Sequence, residues 1–149
     1  MFFEPLAGKR FVKATDQRTR KDWARAMKEL VDEKYPQAEK IVIVMDNLNT
    51  HSPVSFYETF EPDEAKRLSD RFEFPHTPKH GSWLNMAEIE LGVLIRQCLT
   101  RRISDKVTLE REVKACQDDR NVKVVIVDWQ FKTADARIKL KHLYPVIHV

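Results

Sequence analysis

Residues 41–45 read Ile41-Val42-Ile43-Val44-Met45, a continuous apolar, mostly β-branched run that stops at Asp46. Such a run is the signature of a strand buried on both faces, and that in turn requires an α/β sheet covered by helices. The flanking sequence supplies them. Trp23, Ala26, Met27, Leu30 and Val31 recur at three- and four-residue spacing, which predicts a helix capped at Thr15 or Asp16 and stopped by Pro36. Ahead of it, residues 8–13 predict a short strand paired with Phe2-Phe3-Glu4 through the turn Pro5-Leu6-Ala7-Gly8.

Beyond Asp46, Asn47-Leu48-Asn49-Thr50-His51-Ser52-Pro53 is turn chemistry opening a short helix over 54–60. Pro62-Asp63-Glu64 starts another, to about residue 71, and Phe72-Glu73-Phe74 predicts a brief strand. Two prolines and a glycine make 75–81 a loop. Ser82 is then the expected N-cap of a helix over 83–99 that sets Leu84, Ala87, Leu91, Leu94, Ile95 and Cys98 on one face. A helix over 109–118, a strand over 122–129 and a basic helix over 134–143 complete the expected order.

A chain of 149 residues is one domain's worth. With 42% hydrophobic and 33% charged residues, three glycines and a mean hydropathy of −0.51, collagenous, low-complexity and membrane classes are excluded. No apolar run approaches the roughly 20 residues of a membrane helix. Met1-Phe2-Phe3-Glu4-Pro5 has neither the basic flank nor the apolar stretch of a signal peptide, which predicts a cytoplasmic chain. Cys98 and Cys116 form no C-x-x-C pair and are expected as reduced, packed thiols there. The balance of 26 basic against 23 acidic residues permits a nucleic-acid partner without demanding one.

Two carboxylates stand out. Asp46 follows the buried strand directly, and ligands of open α/β sheets sit outside the carboxyl ends of strands; an equal reading is that Asp46 caps the next turn. Glu88 lies beside Leu84, Leu91 and Ile95, a costly place for a carboxylate unless it is paired or binds a cation. The plainer reading is an edge residue that reaches water or a lysine. Its neighbour Glu90 is expected to be solvated.

The text around both acids carries more. Asp46-Asn47-Leu48-Asn49-Thr50-His51, followed by Thr77-Pro78-Lys79-His80-Gly81-Ser82-Trp83-Leu84-Asn85-Met86-Ala87-Glu88, closely resembles the last two catalytic blocks of bacterial insertion-sequence transposases. These are the mariner-related group of the DDE superfamily endonucleases. The similarity continues through Arg96-Gln97-Cys98, Asp128-Trp129-Gln130-Phe131 and Asp135-Ala136-Arg137-Ile138-Lys139-Leu140.

The resemblance implies a ribonuclease-H-like (integrase/transposase) α/β fold, a mixed sheet flanked by helices. It implies three carboxylates that bind two Mg2+ ions, with Mn2+ as a substitute, for attack of water and then a DNA 3′-hydroxyl on phosphodiesters. Asp46 corresponds to the second acid and Glu88 to the third. In the family the first acid lies on a first central strand ahead of the hairpin, and neither Glu4 nor Asp16 matches its motif. Residues 1–149 are therefore expected to be a partial catalytic domain lacking that strand and the helix-turn-helix region, with an incomplete two-metal site and little activity alone. The implied partners are transposon-end and target DNA, a second copy or a full-length transposase, and no membrane. The implied location is the bacterial cytoplasm, at the nucleoid.

Within the same loops, Asn47, Asn49, Lys79 and Ser82 are expected to contact phosphate or strand. His51 and His80 are expected to hydrogen-bond a metal-bound carboxylate or a scissile phosphate. Trp83 either stacks on a base or packs on the core. A zinc site from His76 and His80 lacks a third ligand. Basic side chains at Lys9-Arg10-Lys13, Arg18-Arg20-Lys21, Arg96-Arg101-Arg102 and Arg137-Lys139-Lys141 offset phosphate charge in this reading. Two rivals remain: a non-catalytic DNA-binding or oligomerising remnant that modulates a full-length transposase, and an unrelated α/β metal-assisted phosphoesterase.

Overall fold

The computed structural model describes residues 1–45, 51–76, 85–139 and 141. The chain opens with the expected hairpin: β1 (Phe2–Glu4) and β2 (Lys9–Phe11) pair antiparallel, with Phe3 opposite Arg10. Gly8 closes the turn at φ 61°, a left-handed conformation that only glycine adopts without cost.

Helix α1 (Arg20–Glu29) begins later than its apolar spacing suggests. Thr19, not Thr15 or Asp16, is the N-cap. Its hydroxyl accepts from the Asp22 backbone N–H (3.1 Å), while the Asp22 carboxylate accepts from the Thr19 N–H (3.0 Å). Two otherwise orphaned donors are satisfied at once, which neither earlier residue offers. The helix passes into a π-helical turn, Leu30–Lys34, closed by Tyr35 N–H donating to Leu30 O (2.9 Å). That turn delivers the Tyr35 hydroxyl to Glu4 (2.6 Å) and ties the helix to the hairpin.

Strand β3 (Ile41–Val42) runs parallel to β4 (Phe72–Glu73), and the pairing continues to a bridge between Met45 and His76. Burial on both faces does not hold. Val42 and Val44 are 60% and 58% exposed while Met45 is buried. β4 is the one ladder partner of β3 among the described residues, and helices cover a single face, so burial alternates with the pleat. The chain is mixed α/β, with two separate two-stranded sheets among the described residues where one mixed sheet was expected.

Between β3 and β4 lie α2 (Val54–Tyr57) and α3 (Pro62–Asp70), the latter with proline at its first turn. Ala24, Met27, Leu30 and Val31 pack against Phe56, Ala65, Leu68 and Phe72 to make the core. Its centre is aromatic, with Trp23, Phe56, Phe72 and Phe74 in ring contact at centroid spacings of 5.2–6.0 Å.

The second half departs further from expectation. Helix α4 (Met86–Cys98) starts from Asn85, whose side chain accepts from the Ala87 N–H (3.1 Å), so the helix begins three residues after the expected onset. Ser82 lies outside the described residues. Helix α5 (Lys106–Val122), capped by Asp105, is longer than the predicted 109–118. It consumes the start of the predicted 122–129 strand; the remainder turns at Lys123 and Val124 and then carries no strand, and α6 (Thr133–Lys139) follows. Cys98 and Cys116 are not free thiols but a disulfide, because α4 and α5 bring their Cα atoms to 6.5 Å, within disulfide reach.

Candidate functional site

Asp46, Asn47, Asn49, Lys79, His80 and Ser82 lie outside the described residues, as does Trp83. What is placed is the framework around them. The Met45 N–H donates to Pro75 O (3.3 Å) and Met45 bridges His76, so the residues that lead into Asp46 and into Thr77 stand side by side at the carboxyl end of the parallel pair. The two sequence blocks, some thirty positions apart in the chain, therefore depart from one point. Beside them the His51 ring stacks on Trp23 (5.8 Å between centroids, 23° between planes), and Trp23 also meets Phe74.

Glu88 occupies the first turn of α4. A carboxylate there is favoured by the partial positive charge of the helix N-terminus. Its side chain is exposed, and among the described residues no hydrogen bond or ion pair engages it. This exposure agrees with the plainer reading of an edge residue that reaches water, and among the described residues no lysine pairs with it.

Glu90 is the opposite of its expected solvated self. It is 4% exposed and accepts from Arg10 Nε (3.0 Å) and Arg120 Nη2 (2.9 and 3.0 Å). Arg10, placed by sequence in a DNA-facing basic cluster, is 1% exposed. Its guanidinium also donates to Val125 O (2.6 Å), Gly8 O (3.1 Å) and Asn121 Oδ1 (3.3 Å), and lies over the Phe3 ring at 5.0 Å. Burial pushes the Arg10 guanidinium down from its ordinary value and Glu90 opposes the shift. This cluster joins the hairpin, α4 and α5, and sequence reading missed it. The available signal was Glu90 set between Ile89 and Leu91.

Of the expected DNA contacts on the second half, Arg96 and Arg102 are exposed and make no ion pair among the described residues, whereas Arg101 pairs with Glu112 (2.9 Å). Exposed pairs of this kind are worth only about 0–1 kcal/mol and exchange readily. Glu4 and Asp16, the acids nearest the start, are engaged elsewhere, with Tyr35 and with Lys106 (2.8 Å) respectively. Among the described residues no three His, Cys, Asp or Glu side chains converge to hold a metal ion, and no helix is long and apolar enough to cross a membrane. The described part of the site is thus one carboxylate without an ion pair among the described residues, on a helix that a buried ion cluster holds, together with the adjacent Met45 and His76 from which the two sequence blocks continue.

A family model described as DDE superfamily endonuclease matches residues 1–110, a span that contains both sequence blocks and ends within α5. No curated protein matches the chain significantly, and no solved structure does.

Proposed function

The chain belongs to the DDE superfamily endonucleases, and from that membership we propose that it is catalytic-domain sequence of a mariner-related insertion-sequence transposase. In this reading Asp46 and Glu88 are two of its metal-binding carboxylates, on a ribonuclease-H-like framework. The family match across both blocks carries the reading. The geometry supports it through Glu88, which is exposed in the first turn of α4 with no ion pair among the described residues, while Glu90, two positions on, is held by two arginines.

Oxygen-only donors such as Asp46 and Glu88 fit Mg2+ or Mn2+, hard cations that take carboxylate ligands. Bound there, the ions would stabilise the entering and leaving oxygens of an in-line phosphodiester displacement. The chain's own residues bind and orient. Glu88 offers its carboxylate from a helix whose rotation Glu90 sets. Asn47, Asn49, His51, Lys79, His80 and Ser82 hold the DNA strand at the loops, and Arg96, Arg101 and Arg102 neutralise phosphates along α4 and its C-terminal connection.

Glu4 bonds Tyr35 and Asp16 pairs with Lys106, and neither matches the family's first-acid motif. The 149-residue polypeptide is therefore expected to leave supercoiled plasmid intact in Mg2+ buffer. Nicking that disappears in Asp46→Ala would overturn this expectation. A second reading, a DNA-binding or oligomerising partner of a full-length transposase, is favoured by β3: its outer edge has no ladder partner among the described residues and it exposes Val42 and Val44. Co-purification with the intact enzyme, lost on Val44→Lys, tests it.

A further inference from the structure

Helix α4 is thinly packed for an element that carries a candidate metal ligand. Its buried residues are Glu90 and Leu94, and Leu91 and Ile95 are 41% and 48% exposed. Glu90, Leu94 and Cys98 follow at four-residue spacing, one stripe of the helix, and that stripe meets α5. There Val113 is the buried residue, Arg120 holds Glu90 and Gln97, and Cys116 holds Cys98. The seam between the two helices therefore rests on one small apolar contact region, one buried ion cluster and one covalent bond. Both cysteines are only half-buried, so a thiol can reach the bond.

We propose that the Cys98–Cys116 disulfide is a redox-sensitive tie that governs how firmly α4, and Glu88 with it, is held against α5. A thiolate of a dithiol reductant attacks one Sγ, the S–S bond breaks with its electron pair on the other sulfur, and the second thiol resolves the mixed disulfide. Two electrons and two protons pass to the protein, which gains two thiols, and the reductant closes to its own disulfide. The reduced seam then depends on Glu90, Arg10 and Arg120, and the C-terminal half of α4 opens more often. That this regulates metal binding rests on the reading of Glu88 given above; the tie itself does not.

The test uses the full chain purified without reductant, before and after dithiothreitol, with Cys98→Ser/Cys116→Ser as a permanently reduced form. Thiol titration is expected to find no free thiol before reduction and two after it. Amide exchange in α4 is expected to quicken at least about tenfold on reduction, with α1 and α3 unchanged. Mn2+ affinity is expected to fall in parallel. Free thiols in the untreated protein, or identical α4 exchange in both states, overturn the tie, and reduction of the unmutated chain gives this answer even where the double variant misfolds. Quickened exchange with equal Mn2+ affinity overturns the regulation. Quickened exchange with no Mn2+ binding in either state supports the tie and overturns the metal-site reading.

Discussion

Truncating Glu90 to alanine strips the carboxylate from the Arg10 guanidinium, which is 1% exposed, and from Arg120 beside it. Breaking a buried pair by removing one partner typically costs about 3–5 kcal/mol, because the remaining charge stays desolvated. Glu90→Ala is therefore expected to lower the urea unfolding midpoint by an amount corresponding to that loss. Glu90→Gln keeps the acceptor oxygen and is expected to lose less. Just past the same end of α5, Val124 sits at φ 49°, a left-handed position that burdens a β-branched side chain and that glycine occupies freely. Val124→Gly is expected to stabilise the chain by about 1 kcal/mol, read as a higher melting temperature. The reverse holds at Gly8: a Cβ there would lie 3.0 Å from the Val124 carbonyl carbon, so the hairpin turn is open to glycine alone.

Elements are joined across the first half by charge as well as by the aromatic core. Lys28 and Asp32, from α1 and its π-helical turn, meet Glu64 and Arg67 of α3, with Arg67 bonded to Glu64 (2.6 Å) and to Asp32 (2.9 Å), and Lys28 bonded to both acids. Hydrogen bonds from Arg67 and then Lys28 pull the Glu64 carboxyl down from 4.5 to about 2. A carboxyl held low in the folded chain contributes stability that is complete above its ordinary value and is lost as pH falls toward the folded one. Stability is expected to fall between pH 4.5 and about 2 through this group, and Glu64→Gln is expected to flatten that part of the stability–pH curve. The cluster joins α1 and its π-helical turn to α3. The same elements tell how local signals reach the fold. The hairpin, α1, α3 and β4 were legible because a turn glycine, a proline or an apolar spacing acts within a few residues. The ends were not: Thr19 takes the cap because of a reciprocal bond to Asp22, and the 122–129 run is helix first and coil after, with Val125 O accepting from the Arg10 side chain rather than from a strand backbone.

For the whole molecule, the excess of basic over acidic side chains is small, 26 against 23, and many cations are internally paired. DNA binding is expected to rest on exposed groups without ion pairs among the described residues, such as Arg18, Lys21, Arg25, Arg96 and Arg102. A few such phosphate contacts make affinity fall roughly 10- to 100-fold between about 50 and about 200 mM salt. Fluorescence anisotropy with a duplex oligonucleotide checks this; binding that ignores salt, or no binding at low salt, contradicts it. The sequence by itself determined the order of elements as far as α5 and the two polar blocks that mark the family, since spacing, turn residues and a carboxylate after a strand are local properties of the chain. Tertiary structure alone decided that Val42 and Val44 face outward, that Cys98 meets Cys116, and that of two glutamates on one helix Glu88 is exposed and Glu90 is buried between Arg10 and Arg120. Those outcomes depend on which surfaces meet across 18 to 111 positions of chain, and a buried charge is tolerated only where packing brings its counter-charge.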